Sequence, residues 1–257
     1  MKNEEWVNTD QVSFFERNGY VVIKDLLTPE EVTVYREIYD DFLSGKIEVG
    51  RNRSDLGESI GNNEKVENIT QIMWPSNFVE RLEIMPLHTK ALKIAKKLMG
   101  PDIEMDFDML ISKAPYTNTI TPWHQDAAYW IELPDKRAAS CWLSLDVATI
   151  DNGCMWFVPG SNLLPIRPHT YAGKEGGALV CEASEIEGVA VPLSPGSCTF
   201  HSGGTLHYSR GNDTNTNRRA FIINYRPRKM IDLERLKGFD HGKNGTDRSL
   251  KNDSAML

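Results

Sequence analysis

The second half of the chain places the tightest limit on its fold. From Ile103 onward the runs "IEMDFDMLIS", "ASCWLSLDVAT", "CMWFVPGS", "GSCTFHSG" and "RAFIINYRP" follow one another across Gly, Pro and Asn breaks, with no helical periodicity between them. Strands that succeed each other without crossover helices pair antiparallel, so an antiparallel sandwich or barrel is expected. A chain of 257 residues, 40% of them apolar, is long enough to bury one such core with helices packed on it.

The first part has a different texture. In "LLTPEEVTVYREIYDDFLSG" Thr28 is placed as an N-cap, Pro29 at the first helical position and Glu31 to complete a capping box. Val32, Tyr35, Tyr39 and Phe42 then recur at helical spacing, with Gly45 as a stop. "PLHTKALKIAKKLMG" repeats the pattern, with Leu87, Ala91, Ile94, Ala95 and Leu98 on one face. "YVVIKDLL" reads as a short strand, and the polar stretch around residues 45–71 as a long loop. The expected organisation is one domain over 1–257. It has a mainly helical part at 1–102, a β core at 103–228 with an irregular, Gly-rich lid at 163–188, and a frayed polar tail at 229–257.

A formal net charge of −7 argues against a nucleic-acid partner, and no run of about 18 apolar residues marks a membrane span. The opening "MKNEEWVNTDQ" lacks the cationic-then-apolar order of a signal peptide. Cys141, Cys154, Cys181 and Cys198 show no CxxC spacing and read as reduced thiols, so a cytoplasmic setting is expected.

Chemistry gathers around "TPWHQDAAYW". Alternate side chains of a strand share a face, so His124 and Asp126 can present an imidazole and a carboxylate together. Alone, such a pair is equally a structural hydrogen bond. Six histidines offer a third ligand. His88 in a helix and His241 in the tail read as surface or packing residues, and His169 falls in the lid. His201 and His207 both lie in "GSCTFHSGGTLHYSRGN", a segment that a β-sandwich brings beside His124. Either would complete a two-histidine, one-carboxylate triad, which leaves three positions open on octahedral iron(II). Such a centre needs an electron source, and 2-oxoglutarate is one chemical answer. Its far carboxylate wants a buried cation with a planar fork, and Arg218 in "NRRAFIINY" is a candidate.

In this order and spacing, "WHQD", "NGCMWFVPGS" and "LHYSRGN…RRA" resemble the phytanoyl-CoA dioxygenase family of iron(II)/2-oxoglutarate oxygenases. "FFERNGYVVIKDLLTPEEV" is similar to that family's opening strand and helix, so the resemblance runs from Phe14 to Pro227. It implies a double-stranded β-helix (jelly roll, cupin-like) core with flanking helices. It also implies iron(II) held by His124, Asp126 and His207, with His201 a neighbour, and 2-oxoglutarate and dioxygen as co-substrates. Met109, Trp142 and Ser209 would complete the 2-oxoglutarate pocket, and Gln71 in "QIMWPS" would face the substrate. Spacing from His207 favours Arg218 as the anchor. Strand periodicity favours Arg219, which shares its face with the more apolar Phe221, Ile223 and Tyr225; Arg218 is retained. Asn162 departs from the histidine that members commonly carry after "PGS", which bears on the substrate side.

The implied reaction converts 2-oxoglutarate to succinate and CO2 while an unactivated C–H bond is hydroxylated or otherwise oxidised. The Asp126 carboxylate fills the position that a halogenating relative would leave for halide. Trp123, Tyr129 and Trp130 read as an aromatic wall for a partly apolar substrate, or as core. No phosphate-binding loop or basic cluster marks a CoA handle, which favours a free small molecule, natural-product or lipid-like in character. Two other readings stay open at this level. One is a metal-binding cupin-like protein without oxygenase activity. The other is a zinc hydrolase, for which no HExxH-type base is present.

Overall fold

The computed structural model describes residues 6–57, 67–172 and 178–244. Its elements are α1 (Thr9–Asn18), β1 (Tyr20–Ile23), α2 (Pro29–Leu43), β2 (Arg53–Asp55), β3 (Ile69–Met73), α3 (Pro75–Phe78), α4 (Pro86–Met99), β4 (Ile103–Lys113), β5 (Thr121–His124), β6 (Ala139–Ser144), β7 (Met155–Phe157), β8 (Thr170–Tyr171), β9 (Leu179–Val180), β10 (Val189–Val191), β11 (Cys198–Ser202), β12 (His207–Ser209), β13 (Arg218–Pro227) and α5 (Arg228–Leu236).

Two antiparallel sheets make the jelly roll. The larger has seven strands in the order β1-β11-β6-β13-β4-β3-β2, and the smaller has four, β10-β7-β12-β5. Long β13 is the spine, paired with β4 on one side and β6 on the other. Apolar side chains of the large sheet's outer face pack under α2 and α4: Phe221, Ile223 and Tyr225 meet Tyr35, Tyr39, Leu87 and Ala91 in one buried cluster. Its inner face carries Trp142, Ala220 and Ile222, which meet Phe157 and Met155 of the small sheet. Facing sheets can enclose a ligand only where that inner layer is interrupted, and the functional site lies there.

The helices form where capping and apolar spacing place them. Thr28 accepts from the Glu31 N–H and Glu31 returns a bond to the Thr28 N–H, so both orphan donors of α2 are satisfied. Val32, Tyr35, Ile38, Tyr39 and Phe42 are then all buried, each worth roughly 2 kcal/mol against the exposed chain. Gly100 ends α4 at a φ of 124°, a region that L side chains avoid.

Three features differ from the sequence expectation. Besides β1, the strand expected in "YVVIKDLL", which forms one edge of the large sheet, the first hundred residues supply β2 and β3 at the other edge. Part of the loop around residues 45–71 is thus strand, with positions 58–66 outside the described residues. The chain after Lys229 does not fray at once: α5 continues directly from β13, and His241 returns to a buried position. Its polar letters misled because the charges are paired inside. Arg226 meets Asp106 (3.2 Å) and Glu234 (3.1 Å), His241 meets Glu234 (2.9 Å), and Arg235 meets both carboxylates.

Candidate active site

β5 and β12 are neighbours in the small sheet, and their register sets His124 directly opposite His207. Asp126 follows β5 in a short 3-10 turn that swings its carboxylate back toward the pair. One ligand atom from each of His124, Asp126 and His207 lies within 4.8 Å of the others, a group able to hold a metal ion. Asp126 Oδ1 sits 3.8 Å from His124 Nε2 and 3.5 Å from His207 Nε2.

Neighbours fix which atom of each residue faces inward. His124 Nδ1 is 2.7 Å from the Pro122 carbonyl and His207 Nδ1 is 2.9 Å from that of Thr205, so each Nδ1 carries the proton and each Nε2 presents a lone pair. Burial pushes both imidazoles toward the neutral form, His207 strongly. Burial alone would raise the Asp126 carboxyl, but any charge on His207, His201 or His124 pulls it well below the usual carboxylate range. Its second oxygen is occupied: Ser140 Oγ donates to Oδ2 at 2.7 Å, and His201 Nε2 lies 3.4 Å away. Because Ser140 donates to a carboxylate, it must accept from Asn224 Nδ2, at 2.9 Å. Asn224, Ser140 and His201 thus orient Asp126 so that Oδ1 faces the histidines. Two neutral imidazoles and one ionised carboxylate are the donor set that suits iron(II).

The second demand is a carboxylate anchor. Arg218 at the start of β13 is buried, its guanidinium 5.2 Å from the centre of the Trp142 ring, and its Nε and Nη1 have no hydrogen-bond partner. Burial pushes it down to about 10, still charged at neutral pH. A buried guanidinium with open donors is costly unless an anion completes it. Arg219 faces the other way and is already paired with Asp146 (2.8 Å) and Asp40 (2.6 Å). The more apolar face of β13 is therefore the one under the helices, and the less apolar face lines the interior where a polar co-substrate fits.

A cavity of about 250 Å3 opens beside His124 and Asp126. Gln71, Met109, Tyr129 and Trp130 line it. Gln71 Nε2 donates to Met109 Sδ at 3.4 Å. Ser209 is buried on β12 opposite Thr121. Trp123 is outside the cavity: it precedes His124 on the strand, so its side chain takes the opposite face and stacks on Tyr208 (4.9 Å, 17°). Asn162 is also away from the cavity, bonded through Nδ2 to the Glu16 carbonyl at the end of α1. His88 is buried against Asp108. His169, read as a residue of the 163–188 lid, of which 173–177 lie outside the described residues, accepts the Gln125 N–H at Nε2 (3.1 Å) and so ties its own loop to the chain between His124 and Asp126. Tyr129 does the same for β9, its hydroxyl accepting the Leu179 N–H at 2.7 Å.

Sequence reasoning missed several cavity residues. Phe107, Asn224, Tyr171, Leu179 and His241 all line it. Only Asn224 carried a signal, as a polar residue within the apolar run "FIINY". A second acid-rich group, Asp106, Glu234 and His241, also has metal-like spacing, but Arg226 and Arg235 already neutralise it.

A jelly roll with two histidines and a carboxylate facing its interior, and a buried arginine with open donors, defines the iron(II)- and 2-oxoglutarate-dependent oxygenases. The chain belongs to the phytanoyl-CoA dioxygenase family, whose model matches residues 15–220. It is 24% identical over 234 residues to the probable phytanoyl-CoA dioxygenase of Caenorhabditis elegans, covering 85% of this chain and 75% of that one. It is 27% identical over 179 residues to the peroxisomal phytanoyl-CoA dioxygenase of Bos taurus, covering 68% of this chain and 53% of that one. The chain thus spans about half the length of that bovine relative. Among solved structures, EvdO2 from Micromonospora carbonacea var. aurantiaca in complex with 2-oxoglutarate superposes with a TM-score of 0.72 at 25% identity, covering 85% of this chain and 90% of that one. The carbocyclase SnoK from nogalamycin biosynthesis shares the fold at 22% identity and a TM-score of 0.66, covering 85% and 83%. The protein is an oxygenase of this class, with iron(II), 2-oxoglutarate and dioxygen as its cofactor and co-substrates.

Proposed function

We propose that the protein hydroxylates an unactivated C–H bond of a small molecule held in the cavity beside His124 and Asp126, with 2-oxoglutarate leaving as succinate and CO2, and that the chain acts as one oxygenase domain. His124, Asp126 and His207 would hold the iron. Arg218 would bind the far carboxylate of 2-oxoglutarate, with Trp142, Met109 and Ser209 around it. The observation that carries this reading is the buried Arg218 with Nε and Nη1 unpartnered. A protein that only stores or senses a metal has no use for it.

Iron(II), 2-oxoglutarate and dioxygen together supply the oxidising power. The chain contributes orientation and exclusion. Pro122 and Thr205 hold the proton on the outer nitrogen of each histidine, and Ser140 holds Asp126. A mostly apolar wall including Phe107, Met109 and Leu179 keeps water from the reacting carbon. As a carboxylate ligand Asp126 would fill the place that a halide needs, which favours hydroxylation over halogenation. A cytoplasmic setting is consistent with four buried, unpaired thiols.

Anaerobic addition of iron(II) and 2-oxoglutarate should give a weak visible charge-transfer band, and admitting air should release succinate. Absence of both in folded protein sinks the oxygenase reading and leaves the metal-binding alternative. His124→Ala should abolish iron loading; normal loading would remove this residue from the site.

A further inference from the structure

Two cavities of about 250 Å3 each, the inner one beside His124 and Asp126 and a second at the surface, share a single lining residue, Trp130. The indole is clamped. A Cβ at Gly203 would come within 2.5 Å of its ring, so the backbone there approaches as only glycine permits, and the Arg226 guanidinium lies 5.1 Å from the ring centre. The outer cleft has apolar walls from Ala127, Ile131, Leu133 and Ile166. Cations also line it, but each is matched. Lys136 meets Glu132 (3.0 Å), Arg137 meets Asp102 (2.7 Å) and Asp135 (2.6 Å), and Arg226 meets Asp106 (3.2 Å) and Glu234 (3.1 Å). A charge-balanced cleft with an apolar floor offers nothing to a phosphate and suits an uncharged body.

We propose that Trp130 divides one bipartite substrate site. The reacting end of the substrate occupies the inner cavity, and an uncharged, apolar distal part rounds the indole edge into the outer cleft. The substrate class is therefore an elongated neutral molecule, long enough to reach from the inner cavity past the indole, and not an acyl thioester with a charged nucleotide handle. The inference takes the inner cavity as the substrate's, as proposed above. An indole serves such a role well, because it presents a large, rigid apolar edge at little cost in side-chain freedom.

The test uses the full chain loaded anaerobically with iron(II) and 2-oxoglutarate and carrying 5-fluorotryptophan. The Trp130 fluorine line is identified by its loss in Trp130→Phe. Cyclohexanol and 4-cyclohexylcyclohexanol are the short and long neutral probes. The long probe should shift the Trp130 line and bind at least about tenfold more tightly, since each further methylene buried adds to affinity. Ile166→Tyr, which narrows the outer cleft from a half-exposed position, should erase that advantage and leave the short probe within about twofold. A long-probe advantage that survives Ile166→Tyr overturns the proposal, as does a Trp130 line that neither probe moves. The oxygenase reading fails separately, through absent succinate release, and this binding measurement does not depend on that result.

Discussion

At the scale of single residues, the two adjacent arginines of β13 are chemically alike and structurally opposite. Arg218 is buried with open donors, whereas Arg219 is saturated by Asp146 and Asp40. Charge-assisted bonds to a buried guanidinium are worth roughly 1.5–3 kcal/mol each. Arg218→Met should therefore weaken 2-oxoglutarate binding by about 100-fold or more in anaerobic calorimetry, with little change in the unfolding midpoint. Arg219→Met should do the reverse, lowering the midpoint and leaving 2-oxoglutarate affinity nearly unchanged. If the effects were exchanged, Arg219 would be the anchor. His124 and Asp126 stood out in sequence by their two-residue spacing, but strand alternation is not what joins them: β5 ends at His124 and a 3-10 turn carries Asp126. The choice between Arg218 and Arg219 was not legible, because periodicity reports which face is more apolar and not which face encloses a ligand. Trp123 and Tyr129 show the same limit: both flank the metal motif, and strand alternation sends Trp123 outward while the 3-10 turn brings Tyr129 in.

At the scale of elements, β12 is only three residues long yet must hold His207 in register. Lys113, at the end of β4, does much of this. Its Nζ donates to the carbonyls of Thr119 (3.1 Å), Ser209 (3.3 Å) and Arg210 (2.6 Å), tying β4 to the chain before β5 and after β12. Burial and the nearby Arg218 guanidinium push the lysine well below its ordinary value. Three carbonyl acceptors nevertheless match the three donors of an ammonium and exceed the two of an amine. Lys113→Met leaves those carbonyls unpaired, at roughly 1 kcal/mol or more apiece, so urea unfolding should show a loss of about 3 kcal/mol. A loss below about 1 kcal/mol would show that the clamp is unimportant. The helices α2 and α4 were legible because their caps and apolar stripes are local. The pairing of Lys113 with carbonyls nearly a hundred positions away was not, since nothing near Lys113 announces it.

At the scale of the whole molecule, the C-terminal segment is joined to the jelly roll by buried charges. Burial would raise Asp106, but His241, Arg226 and Arg235 hold it far below the carboxylate range. Its unfolded value is 3.8, so its stabilisation is complete above that pH and is lost as pH falls through the lower folded value. Asp106→Asn should cost about 3 kcal/mol at neutral pH, because it removes one of the two carboxylates that buried Arg226 and partly buried Arg235 share. It should also flatten the acid limb of a stability-against-pH curve measured by thermal unfolding. An acid limb equal to the wild type's would place the acid-labile contact elsewhere. Polar composition hid this tail's role, since paired charges inside look like solvated charges when read as letters. The same large-scale view separates two kinds of wall. The facing His124 and His207 are pinned in a paired sheet, while Leu56, Ile120, Tyr171, Ala178, Leu179 and His241 reach the cavity from outside the two main sheets. Heritable change can therefore fall on the second group without touching the first. A lineage built on this scaffold can change what it oxidises over generations while its chemistry is handed down intact.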